Sequence, residues 1–120
     1  MVEQVVRLAV ELTPNEGQLE QFKSAAAKMT AGSSAEPGTL GYEWFSSADG
    51  KRFRLLEMYV DAAAVEAHFA GPVVREWVPK LAALCSIDRF EIYGDPGPKV
   101  TEMAGGFGAV LFQYSFGINR

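Results

Sequence analysis

The chain has 120 residues, of which 48% are hydrophobic and 22% charged, and this size and balance predict one globular domain. Its formal net charge of −4 argues against a nucleic-acid partner, because such a partner needs a basic face. No apolar run reaches the length of a membrane span, the N-terminus lacks the pattern of a signal peptide, and Cys85 has no second cysteine to pair with. We therefore expect a cytoplasmic protein without a membrane partner.

Alternating apolar residues predict a first strand, and helical spacing predicts the helix after it. The strand runs from Val2 to Leu12, where apolar side chains recur with a period of two. Thr13 is a suitable helix cap, Pro14 suits the first helical position, and Glu16 completes a capping box. The apolar stripe of this helix is formed by Leu19, Phe22, Ala26 and Met29.

The next segment predicts a β-hairpin that leads into a second helix. Leu40, Tyr42 and Trp44 share one strand face, and Asp49-Gly50 lies in the loop that reverses the chain. The return strand runs from Phe53 to Val60 and has no plainly polar face, so we expect the hairpin to be covered on both sides. A second helix follows, with Asp61 as its cap and Ala62, Val65 and Phe69 on its buried stripe.

The last third of the chain predicts two further helical turns and two strands. Gly71-Pro72 ends the second helix, and the turns that follow are interrupted near Pro79. Residues 87–93 alternate as a strand, and residues 95–98 (DPGP) form a turn or linker. The apolar tail over residues 107–116 predicts a final strand, which as the edge of a monomer would be exposed, so we expect it to pair with another subunit at a dimer interface.

The element order is β-α-β-β-α-β with an added C-terminal strand. This order is typical of the ferredoxin-like split β-α-β arrangement, an α+β fold in which both helices cover one face of an antiparallel sheet. Residues 1–95 would form this core and residues 96–120 a C-terminal extension. Because the other sheet face and the tail are also apolar, we expect a homodimer in which two sheets pack together.

Several short motifs resemble the antibiotic biosynthesis monooxygenase (ABM) superfamily over roughly residues 3–93. The motifs are Glu36-Pro37-Gly38 before Tyr42, Asp49 in the hairpin, Phe53, Glu57-Met58-Tyr59 and Asp61 on the return strand, and Ala67-His68 on the next helix. The resemblance implies a dimeric α+β barrel. Members of this superfamily include cofactor-free quinol monooxygenases, haem-degrading enzymes, an isomerase and proteins of unknown activity. The implied activity is cofactor-independent oxygenation of a small aromatic or quinol-like substrate.

The sequence lacks the residues of the haem-degrading branch of this superfamily. That branch carries an asparagine, a tryptophan and a histidine where this chain has Val10, His68 and Val78. One histidine and one cysteine, far apart in sequence, do not make a zinc site. The resemblance to the cofactor-free members of the superfamily implies an activity that needs neither a cofactor nor a metal ion.

His68 and Glu57 are the candidate catalytic residues. An imidazole exchanges protons near neutral pH, which suits deprotonation of a phenol. Glu57 lies within an apolar strand, where burial would raise its pKa and let it act as acid, base or orienting group for His68. The alternatives are a histidine that only bonds a neighbour, and a salt bridge from Glu57 to Arg52, Arg54 or Arg89.

Aromatic residues predict the walls of a small-molecule pocket, because such pockets are mostly apolar. The candidates are Tyr42, Trp44, Tyr59, Phe69 and Trp77. Each of them can equally be an ordinary core residue. Two other functions therefore stay open: a non-catalytic dimeric protein that binds a small molecule, and a proton-transfer isomerase that does not use oxygen.

Overall fold

A computed structural model describes residues 4–120, and within them the chain forms five strands and four α-helices. The strands are β1 (Val6–Pro14), β2 (Thr39–Ser46), β3 (Phe53–Tyr59), β4 (Cys85–Tyr93) and β5 (Val110–Phe112). The α-helices are α1 (Leu19–Ser34), α2 (Ala62–Ala70), α3 (Val78–Ala82) and α4 (Pro98–Gly105), and a π-helical turn (Val73–Trp77) lies between α2 and α3. The predicted start of the first strand at residues 2 and 3 lies outside the described residues.

The strands form one sheet in the order β2-β3-β1-β4-β5. The four strands of the ferredoxin-like core pair antiparallel, with Leu8 on β1 opposite Glu57 on β3 and Ile92 on β4. The predicted α+β, ferredoxin-like fold is therefore confirmed. β5 pairs parallel with β4, so the sheet is mixed and not wholly antiparallel. The reason is that α4 connects β4 to β5, and such a crossover returns the chain in the same direction.

The predicted start of α1 at residues 13–16 is wrong. β1 continues to Pro14, because Thr13 and Pro14 still pair with β4, and Thr13 Oγ1 donates to Asp88 Oδ2 at 2.6 Å instead of capping a helix. The chain turns at Gly17, whose φ of +79° is a conformation that glycine adopts at little cost. The helix itself begins at Leu19.

The segment after β4 contains a helix that the sequence did not predict. Residues 95–98 do form a turn, but Pro98 is also in the first turn of α4, where its missing N–H costs nothing. Val100 and Ala104, four residues apart, are buried in a cluster that includes Val65 and Phe69 of α2. The extension is thus packed onto the helical layer of the chain, and its strand β5 completes the chain's own sheet.

The helices cover one face of the sheet and leave the other face open. Alternate residues of β3 show this clearly, since Leu55, Glu57 and Tyr59 are buried while Arg54 and Leu56 are exposed. The open face carries large apolar side chains that are 37–50% exposed, namely Phe45, Leu56, Tyr93 and Phe112. Within residues 4–120 no helix has the length and apolar character needed to cross a membrane.

Candidate functional site

β3 carries Glu57 into the space beneath the helices. The strand lies between β1 and β2, and Glu57 faces Leu8 on one side and Tyr42 on the other. Because β3 residues alternate between the two faces, the same register that buries Leu55 and Tyr59 also buries Glu57. Glu57 is only 7% exposed. A carboxyl group is therefore held in apolar surroundings, where it needs polar partners.

α2 places His68 above that carboxyl group. The helix begins after Asp61, whose side chain accepts a hydrogen bond from the Ala64 backbone N–H at 2.9 Å. Val65 and Phe69 pack into the core, and His68 lies on the same buried side with 3% exposure. The only histidine of the sequence is thus a core residue, and a carboxyl group lies near each of its two ring nitrogens.

The imidazole of His68 lies between two carboxyl groups. Its Nδ1 is 2.7 Å from Oε1 of Glu36, in the turn after α1, and Thr39 Oγ1 donates to the same carboxylate oxygen at 2.9 Å. Its Nε2 is 3.7 Å from Oε1 of Glu57, which is longer than a hydrogen bond. The bond that orients the ring therefore comes from Glu36, and Nε2 is left free on the side of Glu57.

Tyr59 forms a buried hydrogen bond with Glu57. Its hydroxyl donates to Glu57 Oε1 at 2.5 Å, and the tyrosine is fully buried. Burial raises the pKa of Glu57, while the charge of His68 and the bond from Tyr59 act in the opposite direction. Burial and the neighbouring Glu57 raise the pKa of the Tyr59 hydroxyl, so Tyr59 remains a hydrogen-bond donor.

A cavity of about 70 Å³ lies between the sheet and the helices at this point. Its polar lining consists of Tyr42, Glu57 and His68. The remaining lining is apolar and consists of Leu8, Val10, Leu12, Met29, Leu55, Phe69, Val74, Val78, Leu81, Ile87, Phe90 and Phe107. A lining of many apolar groups and few polar ones is typical of a small-molecule site.

Tyr42 is the third polar group of the cavity. Its ring centroid is 5.8 Å from that of His68. Burial, followed by the charge of Glu57, raises the pKa of the Tyr42 hydroxyl, so it stays protonated. A protonated phenol in the cavity wall can donate a hydrogen bond to an oxygen of a bound molecule.

The structure brings together four of the seven predicted site residues. His68, Glu57, Tyr42 and Phe69 line the cavity, and Tyr59 contacts it only through Glu57. Trp44 and Trp77 are not among the lining residues. Trp44 Nε1 donates to Thr30 Oγ1 at 2.9 Å, and the Trp77 ring lies 4.4 Å from the ammonium group of Lys80.

The arginines considered as partners of Glu57 are directed elsewhere. Arg54 lies on the opposite face of β3 and pairs with Glu11 at 2.9 Å. Arg89 approaches Glu91 at 3.6 Å. The polar partners of Glu57 within the described residues are His68 and Tyr59. Its carboxyl group thus faces the cavity and is not neutralised by a guanidinium.

Sequence reasoning missed Glu36 and Phe107 as site residues. Glu36 belongs to the turn motif that carried the family resemblance, but it lies 32 positions before His68 and no local spacing links the two. Phe107 follows α4, which was not predicted. In residues 4–120 no group of three or more His, Cys, Asp or Glu side chains is arranged to hold a metal ion.

Comparison with known proteins identifies the family. A family profile described as antibiotic biosynthesis monooxygenase matches residues 5–80. A search of curated protein sequences found no match.

Solved structures share the fold at low sequence identity. MupZ from Pseudomonas fluorescens is 23% identical with a TM-score of 0.84, over 98% of this chain and 96% of that one. A Bacteroides thetaiotaomicron protein of unknown function is 26% identical with a TM-score of 0.70, over 76% and 97%. A variant of SnoaB, a cofactor-independent oxygenase from Streptomyces nogalater, is 18% identical with a TM-score of 0.68, over 78% and 95%. The chain belongs to the antibiotic biosynthesis monooxygenase family.

Proposed function

We propose that this protein is a cofactor-independent monooxygenase that deprotonates a small phenolic or quinol-like substrate in the cavity beside His68. The observation that carries the proposal is the row Glu36–His68–Glu57, in which the half-buried Glu36 bonds His68 while the buried His68 and Glu57 line an apolar cavity. The imidazole nitrogen Nε2 of His68 is free, and the carboxyl group of Glu57, whose pKa is raised, lies beside it in the cavity wall. SnoaB, a cofactor-independent oxygenase of similar fold, supports the reaction class.

In this proposal, His68 accepts the substrate proton. With its Nδ1 hydrogen donated to Glu36, the ring presents an unprotonated Nε2 to the cavity. A substrate hydroxyl placed between Nε2 and Glu57 transfers its proton to this pair, and Tyr42 donates a hydrogen bond to the remaining substrate oxygen. The resulting anion is electron-rich enough to react with molecular oxygen.

The substrate supplies all the electrons in this reaction. Oxidation of a phenol to a quinone places one oxygen atom of O₂ on a ring carbon as the new carbonyl oxygen. The other oxygen atom leaves as water with the hydrogens of the substrate O–H and C–H bonds, and the ring supplies the four electrons that reduce O₂. The protein contributes orientation, proton transfer and exclusion of bulk water by the apolar walls. Leu8, Leu55 and Phe69 surround the polar end of the cavity in this way.

A proton-transfer isomerase is the second candidate function. It is favoured by two proton-exchanging groups that face the cavity at one end, His68 Nε2 and Glu57, since one can remove a proton while the other returns it. This reaction would use the same residues and no oxygen.

We also propose that the open sheet face is buried in a homodimer. Phe45, Leu56, Tyr93 and Phe112 form an exposed apolar surface, and Tyr93 stacks on Phe112 with their ring centroids 5.3 Å apart. Surfaces of this kind commonly mark protein–protein contacts. A second copy supplies a matching surface because a two-fold interface is self-complementary.

Oxygen uptake with a panel of hydroquinones and naphthols tests the proposed activity. We expect consumption of O₂ by the wild type, near-complete loss in His68→Asn and Glu57→Gln, and unchanged rates in Trp44→Phe, whose side chain lies outside the cavity. Binding without turnover or proton exchange would instead indicate a binding protein. Exchange of a carbon-bound hydrogen of the substrate with D₂O, without oxygen consumption, would indicate the isomerase.

A further inference from the structure

The polar and apolar groups of the cavity are separated along its length. Tyr42 and Glu57 come from β2 and β3, and His68 lies above them. Ile87 and Phe90 come from β4, on the other side of β1, and Phe107 follows α4. A molecule that fills the cavity therefore meets its hydrogen-bonding partners at one end and only hydrocarbon at the other.

Phe107 differs from the rest of the lining in its exposure. Of the described residues that line the cavity, it alone is exposed, at 45%. Its ring thus has the cavity on one side and solvent on the other. It is a boundary of the cavity, whereas Leu8 and Phe69 are part of the buried core.

The backbone around Phe107 is fixed by the end of α4. The Gly108 N–H donates to the Gly105 carbonyl at 3.1 Å, and the Ala109 N–H donates to the Ala104 carbonyl at 3.1 Å. These two bonds, with Gly108 at a φ of +76°, form a Schellman motif. The motif holds the backbone of Phe107 at a set position, from which its side chain lines the cavity.

We propose that Phe107 closes the apolar end of the cavity and limits the length of the ligand, which carries one oxygen-containing head group and an apolar body. The assignment of the head group rests on the proposed function, because this group would bind at Tyr42, Glu57 and His68. The apolar body would run beneath the helices past β1 towards Phe107. Phe107 lies beyond the residues 5–80 that match the family, so this limit is a property of the C-terminal extension.

Binding of para-alkylphenols with increasing chain length tests the limit. Isothermal titration calorimetry of the wild type would show Kd tightening about fourfold for each added methylene, as burial of a CH₂ predicts, until the chain reaches Phe107. Beyond that length the affinity would stop rising or fall. In Phe107→Ala the gain would continue to longer chains, and in Phe107→Trp it would end at shorter ones.

Phe116→Ala is the matched control, because Phe116 is 89% exposed and does not line the cavity. It would keep the wild-type length limit. The same limit in Phe107→Ala and Phe116→Ala would overturn the proposal, as would a wild type that binds no member of the series. Phe107→Leu serves as a second variant if Phe107→Ala does not fold. Because binding and oxygen uptake are measured separately, failure of this length limit is distinguishable from failure of the proposed activity.

Discussion

Glu36 and His68 are 32 positions apart in sequence, yet Oε1 of Glu36 lies 2.7 Å from Nδ1 of His68. This contact joins the turn before β2 to the last turn of α2. It assigns the Nδ1 hydrogen to the bond with Glu36, and it leaves Nε2 facing Glu57 at 3.7 Å. The orientation of the histidine in the cavity thus depends on a residue that does not line it.

Replacement of Glu36 by glutamine is expected to change the tautomer of His68. The amide NH₂ of glutamine can donate to Nδ1, which then carries no hydrogen, so the ring would be protonated at Nε2. The proposed proton acceptor would be lost, and oxygen uptake would fall by roughly 100-fold, the lower end of what positioned acid–base groups contribute. Because His68 is the only histidine, ¹⁵N NMR reports its tautomer without assignment of other residues.

Glu66→Gln is the control for this experiment. Glu66 is a glutamate on α2, the helix that carries His68. Its side chain is exposed and pairs with Lys99 at 3.2 Å, away from the cavity. The ¹⁵N spectrum of His68 would be unchanged in this variant. A Glu36→Gln protein with the wild-type tautomer would contradict the expected change and would show that the glutamine oxygen accepts from Nδ1 in place of the carboxylate.

Glu57 is expected to make the folded protein less stable as the pH rises, whereas an ordinary salt-bridged carboxylate makes a protein more stable as the pH rises. Burial raises the pKa of Glu57 above its ordinary value of 4.5, so the folded protein binds the proton more tightly than the unfolded chain. The contribution of Glu57 to the free energy of unfolding is fully present below pH 4.5 and is lost as the pH rises through the pKa of Glu57 in the folded protein.

Urea unfolding of the wild type and Glu57→Gln at a series of pH values measures this loss. Glutamine resembles the neutral carboxyl group and keeps an oxygen that accepts from Tyr59. The difference in unfolding free energy between the two proteins would move in favour of Glu57→Gln as the pH rises. A difference that stays constant between pH 4.5 and neutral pH would contradict a raised pKa for Glu57.

Tyr59→Phe is expected to destabilise the protein and to raise the pKa of Glu57 further. The substitution keeps the buried ring but removes the donor 2.5 Å from Glu57 Oε1, at a cost of about 1–3 kcal/mol for an unsatisfied buried acceptor. The same bond lowers the pKa of Glu57, so its loss acts together with burial. Urea unfolding gives the first effect, and ¹³C NMR titration of the Glu57 carboxyl gives the second. An unchanged titration in Tyr59→Phe would show that the bond does not influence Glu57.

The sequence was sufficient to predict the core fold because its patterns are local. Alternation over β1, β3 and β4 and the cap at Asp61 each involve residues close in the chain, and their order specifies the ferredoxin-like arrangement. His68 and Glu57 were selected for their chemistry, and β3 and α2 place both on the cavity. The sequence analysis left a salt bridge from Glu57 to Arg54 open, although the two residues lie on opposite faces of β3.

Non-local contacts explain what the sequence did not reveal. The capping pattern at residues 13–16 was overridden by pairing of Thr13 and Pro14 with β4, a contact with residues more than 70 positions away. α4 is only eight residues long, and its buried residues Val100 and Ala104 are recognised as such once α2 is in place. Trp44 and Trp77 have the chemistry of pocket walls, but the course of α1 and α3 places them outside the cavity.

Introduction of a charge at Leu56 is expected to prevent the proposed homodimer. Leu56 is 43% exposed on the open face of β3, so Leu56→Glu costs the isolated chain little but places a carboxylate in the centre of an apolar contact. Analytical ultracentrifugation would show a dimer for the wild type and a monomer for Leu56→Glu, with circular dichroism unchanged. Ala31→Glu, at an exposed position of α1, introduces the same charge on the helical side and would remain dimeric. A Leu56→Glu protein that sediments as the wild-type dimer would place the subunit contact on another surface.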